Sequence, residues 1–282
     1  MPWLYCHDMT LSVNLALAQR LERVEAINTA GYAESLQKLQ PGSAAAVQAI
    51  GDGLAVFTRP DFPMNRAVGI GLAENIDAAG LLAAVELFYH SHQTASQIMI
   101  CPFTQVSLLQ LLGQHGYFAE HFYNVHVRAI TPEDADVPEP SAIRVSIVEP
   151  PDFDLWARTN IGTAREFAEV PADDVWFTLC KVAVRRPHVL GFIAWVEGEP
   201  AGSAALSILD GVATLFSAGT RTRFRRRGVQ KALLHARLAT AHRHGCDLAH
   251  LTTTPGSDSQ RNVQRAGFAL AYQRITMQQN RT

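Results

Sequence analysis

RTRFRRRGVQKALL, residues 221–234, sets five arginines within seven positions and closes the run with one glycine before an apolar helical pattern begins. Val229, Ala232, Leu233 and Ala236 fall on one side of that helix, which runs to Arg243 and His244 and stops at Gly245. A helix start leaves backbone N–H groups without intrahelical partners at the positive end of the macrodipole, which makes it an anion site. A glycine there has no Cβ to hold a ligand away. Guanidinium groups alongside add charge and forked donors that match phosphate oxygens. Arg225, Arg226, Arg227, Gly228, Val229, Gln230 and Lys231 are therefore candidate ligands for a diphosphate. The spacing is neither G-x-x-x-x-G-K-[ST] nor G-x-G-x-x-G, which excludes the two commonest phosphate loops.

Ahead of the arginines, HVLGFIAWVEGEPAGSAALSILDGVATLFSAGT reads as three strands with turns at Glu197–Pro200 and Asp210-Gly211. A strand pattern in AIRVSIV and a helically spaced stretch to about Arg186 precede them. Behind the helix, CDLAHLTTT is a strand, residues 257–265 a short helix stopped by Gly267, and FALAYQRITM a last strand. Such an order predicts an α/β layout with a mixed sheet.

TPEDADVPEPS, residues 131–141, holds three prolines and four acidic residues and marks a linker between domains at 1–130 and 142–282. The first part opens with a helix carrying Val13, Leu17, Leu21 and Val24 on one face, followed by helices over about Asp77–His90 and VSLLQLLGQHG. A shift of 151 residues lays the Asp77–His92 helix on Gly228–Arg243 and Gly116-Tyr117 on Gly267-Phe268, so one plan is used twice. Where the second copy has RRRGVQ the first has ENIDAA, with neither arginine nor glycine.

The 282 residues are 48% hydrophobic with a formal charge of −2, which argues against a surface built for nucleic acid and makes the arginine run a local device. No stretch has the length and apolarity of a membrane span, and the opening residues lack the basic start of a secretory leader. Four scattered cysteines predict neither a disulfide framework nor a zinc ribbon, and a reducing cytoplasm is the expectation. His242, His244 and Cys246 straddle a helix end rather than share a face, so no metal site is expected.

Arg225 and Gly228, with the strand before them, the helix after them and the Asn262 to Phe268 element, resemble the GNAT superfamily of N-acetyltransferases and its R/Q-x-x-G-x-G/A signature over about residues 142–280. Gln230 stands where that signature ends in a small residue. The resemblance implies tandem GNAT-like domains of the α+β type, each a mixed, mostly antiparallel twisted sheet flanked by helices, with the first copy degenerate. It implies acetyl-CoA as cosubstrate, its pantetheine arm along Ala218, Gly219 and Thr220 and its remainder touching Asn262. It further implies acetyl transfer to an amine, expected to be that of a small molecule, in a monomer or homodimer. A non-catalytic acyl-CoA-binding or sensing protein is the alternative.

Acyl transfer to an amine needs a group to take the ammonium proton. The resemblance implies a glutamate on the strand before the loop, but GVATLFSAGT contains no acid, and Glu166 or Glu169 is expected to substitute. The tyrosine implied as proton donor to the thiolate is replaced by Val263, leaving Asn262, Ser259 and Tyr272 as candidates.

Overall fold

The computed structural model describes residues 12–135, 142–165 and 173–280. In chain order the elements are α1 (Leu15–Leu39), β1 (Ala46–Ile50), β2 (Gly53–Phe57), β3 (Arg66–Val68), α2 (Ala78–Ser91), β4 (Gln97–Ile100), α3 (Val106–Gln114) and β5 (Tyr117–Ala129). The second half contributes β6 (Ile143–Ile147), α4 (Phe153–Arg165), α5 (Asp173–Arg185), β7 (Val189–Val196), β8 (Glu199–Leu209), β9 (Val212–Thr220), α6 (Val229–Arg243), β10 (Leu248–Thr253), α7 (Asp258–Arg265) and β11 (Ala269–Gln279). The expected meander and the helix after the arginines are present. The helical stretch before the meander is two helices, α4 and α5. Residues 136–141 of the expected linker lie outside the described residues.

All the strands join one mixed sheet in the order β1-β2-β3-β4-β11-β5-β10-β9-β8-β7-β6. The order is a palindrome: β1-β2-β3-β4-β11 mirrors β7-β8-β9-β10-β5 with β6 added outside, so the duplication read at a shift of 151 residues is a pseudo-twofold relation in space. At its centre the halves trade strands. β11 pairs with β4 through Ile275↔Ile100, and β5 pairs with β10 through Leu251↔His126. The last strand of each half thus extends the other half's sheet, while β5 and β11 pair along their lengths. Among the described residues parallel contacts are confined to β3 with β4 and β9 with β10.

One face is covered by α1, α4 and α5, the other by α2, α3, α6 and α7. β8 lies beneath helices on both faces, and its run of small residues, Ala201 to Ala205, lets α6 pack on one side and α4 on the other. Val229, Ala232, Leu233, Leu238 and Ala241 of α6 close a core with Phe192, Leu206 and Leu215. On the opposite face α1 spans both halves. Arg274, fully buried on β11, donates to Glu22 at 2.9 Å and lies 3.3 Å from Glu25, and Tyr272 donates to the same Glu22 oxygen at 2.7 Å. Removing one partner of such a buried set costs about 3–5 kcal/mol, because a charge is left alone in the interior.

Candidate active site at the splayed strands

The arginine loop descends from β9 to α6 around one anchor, Phe224, which is 4% exposed and packs in the second-half core. Gly228 caps α6 at φ +91°, a left-handed conformation that glycine adopts without penalty, and no side chain caps the helix. The first intrahelical bond runs from Ala232 N–H to Gly228 O, so the N–H groups of Val229, Gln230 and Lys231 stand ahead of it. Arg226 is also left-handed, at φ +59°. Left-handed residues at 226 and 228 curl the loop in the manner of backbone concavities that take up anions. Arg225 and Arg226 are exposed beside it. Arg223 and Arg227 form ion pairs with Glu199 and Glu197 around the β7–β8 turn.

The strand edge next to the loop is open. β9 and β10 pair only from Val212–Thr214 against Leu248–His250. Beyond that point β10 keeps pairing with β5 while β9 runs on to Thr220 along β8, leaving Ala218, Gly219 and Thr220 on a strand parted from β10. Gly219 is required here, since a Cβ would collide with the Thr163 side chain of α4. Asn262, on α7, donates to Gln230 Oε1 at 3.2 Å, which brings α7 to the start of α6.

In the first half the corresponding features are filled from within. Asp77 caps α2, its carboxylate accepting from Gly80 N–H at 3.0 Å where Gly228 leaves α6 uncapped. The Asp52 carboxylate accepts from the N–H groups of Gly71, Leu72 and Ala73 at 2.6–2.8 Å. The carbonyls of the same segment are taken by Gln105 and Gln19. The backbone after β3 is therefore saturated, and a ligand arm would have to displace a carboxylate to reach it.

Glu166 and Glu169 lie outside the described residues. Val263 is buried, Ser259 is exposed on α7, and the Tyr272 hydroxyl is held by Glu22 in the buried set beneath α1, where burial raises its pKa. The sequence reading passes over Asn160 and Thr163, which the structure lays directly on β9. Asn160 donates to Ser217 O at 2.8 Å. Their spacing on one face of α4 is the only sequence signal for them. Among the described residues no group of three or more His, Cys, Asp or Glu is placed to hold a metal ion, and no helix is long and apolar enough to cross a membrane.

A loop of uncapped amides feeding a helix, beside two parallel strands that part, agrees with the comparison by family: residues 154–268 match the Acetyltransferase (GNAT) family model. These residues form a GNAT-family acetyltransferase domain. The matched family is one of acetyltransferases, and acetyl-CoA-dependent acetyl transfer is the activity the match implies for residues 154–268. Among solved structures the chain is similar to a GCN5-related N-acetyltransferase from Kribbella flavida, at 18% identity and TM-score 0.62 over 91% of this chain and 96% of that one. It is also similar to a tandem GNAT protein from the clavulanic acid biosynthesis pathway, at 13% identity and TM-score 0.60 over 95% of both chains. A GCN5-related N-acetyltransferase from Sphaerobacter thermophilus matches at 19% identity and TM-score 0.53, over 75% of this chain and 70% of that one. No curated protein matches the sequence. The fold is that of a tandem GNAT protein, with a mixed, largely antiparallel sheet between helical layers.

Proposed function

We propose that residues 142–282 carry a single acetyl-CoA site and transfer the acetyl group to an amine of a small molecule by direct attack, with residues 1–130 as a degenerate copy that supports the cleft. The observation that carries this reading is the contrast between the halves: α6 starts uncapped beside a parted strand, while α2 and the segment after β3 are filled by Asp77 and Asp52. The amides of Val229, Gln230 and Lys231, with Arg225 and Arg226, hold the diphosphate, and Asn262 and Gln230 close over it. The backbone of Ala218, Gly219 and Thr220 lines the pantetheine arm, and an N–H of β9 polarises the thioester carbonyl. In the reaction a C–N bond forms, the C–S bond breaks, and the amine gives up one proton as the thiolate gains one; Glu166 is the proposed base. A small acceptor is supported by the formal charge of −2, which offers no broad field for a polyionic partner. Burial of the free thiols Cys101, Cys180 and Cys246 is compatible with a reducing cytoplasm.

Calorimetry with CoA tests the site: one equivalent should bind per chain, and Arg226→Ala combined with Gly228→Ala should raise Kd at least about tenfold. An unchanged Kd removes the assignment. Thiol release from acetyl-CoA across a panel of amines then tests the chemistry, since a binding-only protein sustains no turnover.

A further inference from the structure

The β8–β9 ladder breaks beside the parted strands. Its register passes from Ser203↔Gly219 to Ala205↔Phe216, which leaves Ala204 on one strand and Ser217 and Ala218 on the other outside it. Ser217 sits at φ +51°, a conformation that costs energy for any residue with a Cβ. A bulge of this kind releases backbone groups from the ladder and re-aims those beside it, and it persists only if the released groups find partners. Both partners come from α4. Trp156 Nε1–H donates to Ala204 O at 2.9 Å, and Asn160 Nδ2–H donates to Ser217 O at 2.8 Å and to Ser203 Oγ at 3.1 Å. The two residues are four apart, one above the other on the helix, and are 0% and 9% exposed. Asn160 is itself oriented: the Cys180 thiol on α5 donates to its Oδ1 at 3.5 Å, which fixes the amide with its N–H groups toward β9.

We infer that Trp156 and Asn160 are positioning residues that hold the β9 bulge in the shape presenting its backbone N–H to the thioester carbonyl. The inference rests on the acetyl-CoA reading above. It assigns α4 a role in carbonyl polarisation, separate from the α6 loop that grips the diphosphate.

Trp156→Phe keeps an aromatic ring in the core and removes the N–H together with the indole's five-membered ring, and Asn160→Ala removes the other clamp. Each is compared with wild type by calorimetry with acetyl-CoA and by infrared difference spectroscopy of bound [13C-carbonyl]acetyl-CoA. Wild type should shift the carbonyl band to lower frequency on binding. Both variants should lose at least about half of that shift while Kd changes by less than about threefold. A role in stability alone would lower the melting temperature and leave the band of the bound thioester where wild type puts it, and that result overturns the inference, as does a wild-type complex with no shift. Failure of wild type to bind CoA at all is a separate outcome, which overturns the acetyl-CoA reading and this inference with it.

Discussion

Gly228 and Arg226 share a left-handed backbone but answer to different demands. Among the described residues Gly228 has only the Ile143 side chain within 4 Å of where a Cβ would stand, so the conformation rather than crowding keeps glycine there. Gly228→Ala should lower stability by about 1 kcal/mol and weaken CoA binding, whereas Arg226→Gly should weaken CoA binding with no loss of stability. Paired thermal melts and calorimetry separate the two, and equal destabilisation would contradict the demand for glycine's conformational freedom at position 228. His250 sets a second test at this scale. It is wholly buried on β10 with Nε2 2.9 Å from Thr214 Oγ1, facing Arg274 and Glu25, and burial, assisted by Arg274, lowers its pKa to about 4. The unfolded chain protonates this histidine near its ordinary value while the folded one does not, so stability falls as pH drops from about 6.5 toward 4, by about 3 kcal/mol from this group. Denaturation midpoints at about pH 7 and about pH 4.5 should show a smaller difference in His250→Gln than in wild type. An identical difference would remove His250 from the acid response.

At the scale of elements, Asp52 is to the segment after β3 what a ligand arm would be to the parted end of β9. Asp52→Ala strands three N–H groups, two of them on the buried residues Gly71 and Leu72, and should cost about 2 kcal/mol without altering CoA affinity. Urea titration checks the first, and a changed Kd would mean that the copies are coupled. Much of this level is legible in the sequence. The α6 stripe of Val229, Ala232 and Leu233, the turns at Gly198 and Gly211 and the arginine loop all follow from local chemistry and appear where expected. The β1–β2 hairpin is harder to read, because alanines dilute its alternation. The bulge at Ser217 leaves no local signal, since a serine in a left-handed conformation is an unfavourable choice that only the overlying Trp156 and Asn160 sustain.

For the whole molecule, strand exchange decides what can be taken apart. Sequence periodicity marks β5 and β11 as the ends of two similar halves, but which strand each one pairs with is set by long-range packing that no window of sequence contains. Residues 142–282 alone lack β5, which otherwise lies between β10 and β11. That fragment should therefore expose unpaired edges, aggregate and fail to bind CoA, whereas coexpression with residues 1–135 should restore binding. Gel filtration and calorimetry of the fragments, alone and together, test this, and wild-type affinity in the isolated second half would contradict it.

The insertion of residues 269–279 between β4 and β5 also orders events during biosynthesis. Translation delivers β1 to β5 before any of the second half, yet the gap beside β4 stays open until residues 269–279 leave the ribosome. The nascent first half must wait with that gap exposed, and β11 serves as a keystone, locking the arch only after β6 to β10 have been made.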